Sequence, residues 1–361
     1  MKKNKLLMAI GVLAISGSII MAIKSSRTGD RDVVYGLFPL TGNVGIIGQY
    51  LKHGLSLGCE DADNSFIGVA DDSKADPKTG YTAMQKMIAF NKPKIVLTAI
   101  SGVALAIRDM LEKEQILHFS MTGTDQLFGK DSKYTYRFYP SSSYIADFIV
   151  SWLKGNNRNA ETKHISIVYQ NNEWGNNYCD AMKSKITELE NSKVDDIYSI
   201  DINRDEYVNI AARIKMAGSD CLCVSLQGDL CSEFIRRVRL SGYKGLIICD
   251  NNFTAAVASK CSEYLDNMVV VDFAKPEGFE FDEFQRKYRQ RFNDLPDMPA
   301  ILVYEVLKIF SAAKSAYGED AWYDNAKMQA FTYDGMLGRI TVEGREIRFP
   351  LVVKNAGDLI K

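Results

Sequence analysis

Two apolar runs in the first third of the chain end in clustered hydroxyls. Ile95–Ile100 leads into Ser101-Gly102, and Ile116–Phe119 leads into Ser120-Met121-Thr122-Gly123-Thr124. Side-chain hydroxyls beside the free N–H groups of a helix start suit a carboxylate or another small anionic or polar group. The same residue types also cap helices after strands, so their setting must decide between the two tasks. Other candidates for chemistry fare less well. Asp71, Asp72 and Asp76 read as a solvated loop with an N-cap before a helix over 78–90 rather than as a cation site. The seven cysteines (59, 179, 221, 223, 231, 249 and 261) contain no C-x-x-C pair, and His53, His118 and His164 stand in unrelated segments. They read as small buried apolar residues, with no metal or cofactor implied. There is no G-x-S-x-G elbow, H-E-x-x-H helix, phosphate-cradling G-x-x-x-x-G-K-[ST] or G-x-G-x-x-G after a strand. The chain is therefore not read as an enzyme, and no catalytic residue is assigned.

The elements that position the hydroxyls alternate. Strands are expected at 33–38, 66–70, 95–98 and 116–119, with helices over 45–63, 78–90 and 103–113 between them. That pattern predicts a parallel sheet, and an open α/β sheet binds ligands beyond the carboxyl ends of its strands. The theme restarts with a strand at 164–169, a polar turn over 170–175 and a helix. Strands at 194–200, 221–226, 246–249 and 268–271 follow, with helices over 207–217 and 229–241. Helices over 282–292 and 300–316 precede a hairpin at 338–349 around Glu343-Gly344 and a last strand at 350–354. Two α/β halves of similar plan predict a bilobed molecule with a cleft between the lobes.

Length and charge fit that plan. The chain has 361 residues, enough for two cored domains, and its net charge of −1 offers no electrostatic case for nucleic acid or an acidic membrane surface. Lys2, Lys3 and Lys5 precede an apolar run over 6–15 and Ser16-Gly17-Ser18, the layout of a secretory signal. The run resumes to Ile23, so residues 1–31 are a signal peptide or an uncleaved anchor through residues 6–23. An exported chain with an odd number of cysteines leaves at least one thiol unpaired.

Phe38-Pro39-Leu40-Thr41-Gly42 followed by Gly48-Gln49 resembles the opening of the leucine/isoleucine/valine-binding protein family, the type I periplasmic solute-binding proteins of ABC transporters. Asp71–Pro77, Tyr169–Gly175, Ser241-Gly242-Tyr243 and the C-terminal stretch from Phe331 through Gly335, Gly338-Arg339-Ile340 and Val342–Val353 are similar to further segments of that family, in the same order. The resemblance spans residues 32–361. It implies a flytrap of two lobes, each a parallel sheet flanked by helices, with hinge crossings near 142, 272 and 331. Lobe one would be 32–142 plus 273–331, and lobe two 143–272 plus 332–361.

The resemblance also implies site residues. Ser101, Thr122 and Thr124 match positions that hold an amino acid carboxylate, and Trp174 matches an aromatic that folds over the ligand. Asn251, with Asp250 beside it, stands where the family has an acidic residue for the ammonium group. Gln227 occupies a further pocket position of lobe two, and Ile47 stands near a first-lobe aromatic position. These departures leave the carboxylate half intact, so the ligand is an amino acid or a related amide or carboxylate, the amino acid returning if Asp250 turns inward. The expected function is capture of that ligand in the periplasm for the membrane permease of an ABC transporter. The alternative is a membrane-tethered ligand-sensing receptor domain of the same fold, and a third reading is an enzyme whose cleft residues go unrecognised.

Overall fold

The computed structural model describes residues 32–360 apart from 63–65, 91, 156–163, 191 and 202–206. The signal or anchor expected over 1–31 lies outside the described residues. No helix among those described is long and apolar enough to cross a membrane.

The first sheet is built from β1 (Asp32–Phe38), β2 (Phe66–Asp72), β3 (Ile95–Ala99), β4 (Leu117–Met121) and β5 (Thr135–Arg137). β1 pairs in parallel with β2 on one side and β3 on the other, and β4 and β5 extend the sheet beyond β3. The linking helices are α1 (Gly45–Asp61), α2 (Pro77–Phe90) and α3 (Ser101–Glu114). Strands covered on both faces read as continuous apolar runs, and β3 is buried at all its positions. Val96 packs with Val103, Ile107 and Leu111 of α3 on one face, while Leu97 and Phe119 enter the main core on the other.

α4 (Ser142–Gly155) opens the second half, which continues with β6 (His164–Gln170), α5 (Glu173–Ile186), β7 (Lys193–Ile200), α6 (Tyr207–Ala217) and β8 (Cys221–Ser225). It ends with α7 (Gly228–Leu240), β9 (Leu246–Cys249), the short α8 (Ala255–Ser259) and β10 (Met268–Phe273). The chain then returns to the first half with α9 (Phe279–Phe292), α10 (Met298–Tyr317) and α11 (Asn325–Gln329). α10 starts where Asp297 accepts a hydrogen bond from the Met298 amide, with Pro299 in the first turn, and it stops at Gly318, whose φ is +91°. It lies on α1 at close range: a Cβ on Gly54 would stand 2.3 Å from the Ala300 carbonyl oxygen.

The C-terminal strands correct the expected domain limits. β11 (Thr332–Gly335), β12 (Gly338–Glu343) and β13 (Glu346–Arg348) form an antiparallel meander that joins the first sheet beside β5, not the second. The attachment is made by the Arg137 amide donating to the Arg345 carbonyl at 2.9 Å and by the Arg137–Glu346 ion pair at 3.4 Å. Glu305 of α10 reinforces it by accepting from the Met336 amide in the β11–β12 turn. Only β14 (Leu351–Asn355) reaches the second sheet, antiparallel to β10. The last passage between the sheets therefore lies at 349–350 rather than near 331. It runs beside the outgoing one, with the Ala274 amide bonded to the Pro350 carbonyl at 3.0 Å and the Phe273 and Phe349 rings in edge contact.

The finished sheets run β11-β12-β13-β5-β4-β3-β1-β2 and β14-β10-β9-β8-β6-β7, each mostly parallel and flanked by helices. All seven cysteines are buried and none is in a disulfide.

Candidate functional site

β3 and β4 end side by side, with Thr98 opposite Ser120 and Ala99 opposite Met121. Ile100 follows β3 with φ at +73°, a conformation that is costly for a β-branched residue. This sharp corner makes Ser101 the first residue of α3, half-exposed beside the helix's unpaired first amides. Thr122 is buried, its Oγ1 3.1 Å from Ser120 Oγ. Thr124 caps a single turn over Asp125–Leu127, accepting from the Gln126 amide at 3.3 Å. Beneath it, the Arg137 guanidinium donates to the Thr124 carbonyl at 3.0 Å and faces Glu346 and, at 3.9 Å, Asp125. Arg137 is 1 % exposed, and burial lowers its pKa against those two carboxylates. The sequence reading did not single it out; its signal is one cation inside the aromatic run Tyr134–Tyr139.

The opposite wall comes from the second sheet. Asn172 caps α5 by accepting from the Gly175 amide at 2.8 Å, which sets Trp174 in the first turn. The indole Nε1 donates to Ser225 Oγ at 2.8 Å and to Asp250 Oδ2 at 3.1 Å. Asp250 also accepts from Ser225 Oγ at 2.6 Å, from the Asn252 amide at 3.1 Å and from Asn252 Nδ2 at 3.0 Å. Three of these four donors converge on Oδ2 and one on Oδ1. Burial raises the Asp250 pKa, and these hydrogen bonds oppose it.

The two walls meet at Gly123. A Cβ there would stand 1.3 Å from Cζ3 of Trp174, so the ring lies directly on the glycine, between Thr122 and Thr124. Tyr139, on the first passage between the sheets, packs its ring 6.0 Å from Trp174 and 5.8 Å from Phe273 on the second passage. Asn251 is buried beside the Tyr139 hydroxyl. Gln227 is exposed at the start of α7, its Nε2 3.4 Å from Asn252 Oδ1 and its amide 3.3 Å from Gln170 Oε1. Hydrogen bonds therefore join Trp174, Asp250 and, through Asn252, Gln227. Ile47 stands apart in the first turn of α1, half-buried against the main core. Ser225 and Tyr139 complete the wall without having been foreseen, because a Ser ending a strand and a Tyr in a linker carry no motif.

A family model described as periplasmic binding protein matches residues 36–349. The Leu/Ile/Val-binding protein BraC3 of Rhizobium johnstonii is 23 % identical over 195 residues, which are 50 % of this chain and 52 % of that protein. The chain thus spans about half the length of the curated relative it matches. Among solved structures, a solute-binding protein of an ABC transporter from R. palustris in complex with benzoate superposes with a TM-score of 0.76 at 17 % identity, covering 90 % of this chain and 93 % of the other. A leucine-binding protein, LivK, from Thermotoga maritima gives 0.75 at 15 % identity, covering 90 % and 96 %.

Proposed function

Because the chain belongs to this periplasmic binding protein family, we propose that it is an extracytoplasmic solute-binding protein that closes two lobes on a small carboxylate and delivers it to the membrane permease of an ABC transporter. The observation that carries this reading is the seat of Trp174 on Gly123, which joins the lobes at the hydroxyl cluster. In this reading the carboxylate docks first on lobe one, at Ser101, Thr122, Thr124 and the amides that start α3. Closure brings Trp174 over it and excludes water, which strengthens each polar contact. The ligand favours the closed state by the difference in its affinity for the two states. No covalent step is required.

The donors already gathered on Asp250 favour an acid without an α-amine. Three donors crowd Oδ2 and the Asn252 amide takes a place on Oδ1, so an ammonium group would have to compete with Trp174, Ser225 and Asn252 for this carboxylate. Asn251 and Gln227 offer neutral amides on that side. Benzoate, present in the R. palustris neighbour, has this chemistry, and leucine, the ligand named for the Thermotoga maritima neighbour, has the other.

Calorimetric titration with benzoate, leucine and benzamide tests the reading. Benzoate or a related acid is expected to bind, Ser101→Ala and Thr124→Ala to weaken it about tenfold each, and Asp250→Asn to change it less than about threefold. Tight leucine binding abolished by Asp250→Asn would instead make Asp250 the ammonium partner.

A further inference from the structure

A buried hydrogen-bonded chain runs along β4 toward the hydroxyl cluster. His118 Nε2 lies 2.8 Å from Thr98 Oγ1, Thr98 Oγ1 donates to Ser120 Oγ at 3.0 Å, and Ser120 Oγ lies 3.1 Å from Thr122 Oγ1. All four residues are at most 3 % exposed. The direction of this chain follows from counting protons. Thr98 has one hydroxyl proton and spends it on Ser120, so it can only accept from His118, whose Nε2 must carry hydrogen. His118 Nδ1 has no hydrogen-bond partner among the described residues. A bare lone pair is the cheaper group to leave there, since buried N–H groups without acceptors are rare. Burial also holds the imidazole neutral, pushing its pKa down to about 3, so the ring has a single proton to place. Either hydroxyl could donate between Ser120 and Thr122, but the buried Ser120 proton has Thr122 as its one remaining acceptor among the described hydrogen bonds, which directs it there. The Thr122 hydroxyl proton is then left pointing out of the chain, one residue before the glycine under Trp174.

We propose that His118 is a positioning residue that, through Thr98 and Ser120, fixes the Thr122 hydroxyl as a hydrogen-bond donor to a carboxylate oxygen. This rests on the reading that the ligand is a carboxylate. The reversed chain, with hydrogen on Nδ1, would turn Thr122 into an acceptor and present lone pairs to an anion. A side chain buried four residues upstream thereby selects an acid over a neutral or hydrogen-donating analogue.

The test has two arms. Long-range ¹⁵N–¹H correlation of the imidazole nitrogens in the intact protein, without any ligand, reads the tautomer directly. Hydrogen on Nε2 across pH 5–8 is expected, and hydrogen on Nδ1 would overturn the proposal whatever binds. Calorimetry with benzoate and benzamide then compares wild type, His118→Phe and His118→Gln. Loss of the Nε2–H donor in His118→Phe is expected to weaken benzoate roughly tenfold with little effect on benzamide, and the amide donor of His118→Gln to restore most of it. A purely structural role predicts equal losses for both compounds and both variants, and unchanged benzoate affinity in a folded His118→Phe protein would also sink the proposal. Wild-type protein that keeps hydrogen on Nε2 but binds no carboxylate would uphold the chain's direction and defeat the ligand reading instead.

Discussion

Gly123 holds the Trp174 ring against its backbone, and a single methyl group there would overlap the indole, whose ring atoms are the three nearest to it. Gly123→Ala is therefore expected to weaken ligand binding at least about tenfold through the closed state, with a thermal midpoint near wild type. Calorimetry paired with a melting curve checks it, and equal affinity in both proteins would remove Trp174 from the closure contact. Asp250→Ala should act on stability instead. It leaves the indole N–H with Ser225 Oγ alone and strands the buried Ser225 hydroxyl and the Asn252 donors, at about 1–3 kcal/mol in urea unfolding. The gathering of the hydroxyls at two adjacent strand ends was legible in the sequence, because strand ends and helix starts are local features. The commitment of Asp250 was not, since its donors Ser225 and Trp174 lie 25 and 76 positions away and meet only when β8, β9 and α5 converge.

At the level of elements, the contact of α1 with α10 depends on Gly54. A Cβ at that position cannot give way, because its neighbour is the Ala300 backbone rather than a flexible side chain. Gly54→Ala should cost about 1–3 kcal/mol by forcing the helices apart, measured as a shift in urea midpoint. Alternating strands and helices were readable from periodicity, and both mostly parallel sheets follow from it. The short β5 and the attachment of β11–β13 beside it were not. A meander shows its own turns in sequence but not the sheet it joins, and here the choice is made by Arg137, through Arg345 and Glu346.

For the molecule as a whole, two buried titratable groups give stability opposite pH slopes. His118 has its pKa lowered from 6.5 to about 3, mainly by burial. Below pH 6.5 the unfolded chain takes up a proton that the folded one refuses, so this contribution is lost as pH falls toward 3. Glu305 has its pKa raised from 4.5 to about 7, again chiefly by burial, with Glu280 adding to it and Lys308 opposing. The folded carboxyl keeps its proton where the unfolded one releases it, so this contribution is full below pH 4.5 and lost as pH rises through 7. Glu305→Gln should accordingly gain stability relative to wild type between pH 5 and pH 8, by up to about 3 kcal/mol, and a difference independent of pH would contradict the raised carboxyl. The buried cysteines carry a further consequence. With every thiol shut inside the fold and none committed to a bridge, the native protein presents no thiol for an alkylating reagent to reach. The rate of thiol modification then becomes a clock for spontaneous opening of each lobe. Cys59 keeps time for the first sheet and Cys221, Cys223, Cys231, Cys249 and Cys261 for the second, so one mass spectrum would reveal whether the two halves unfold together or apart.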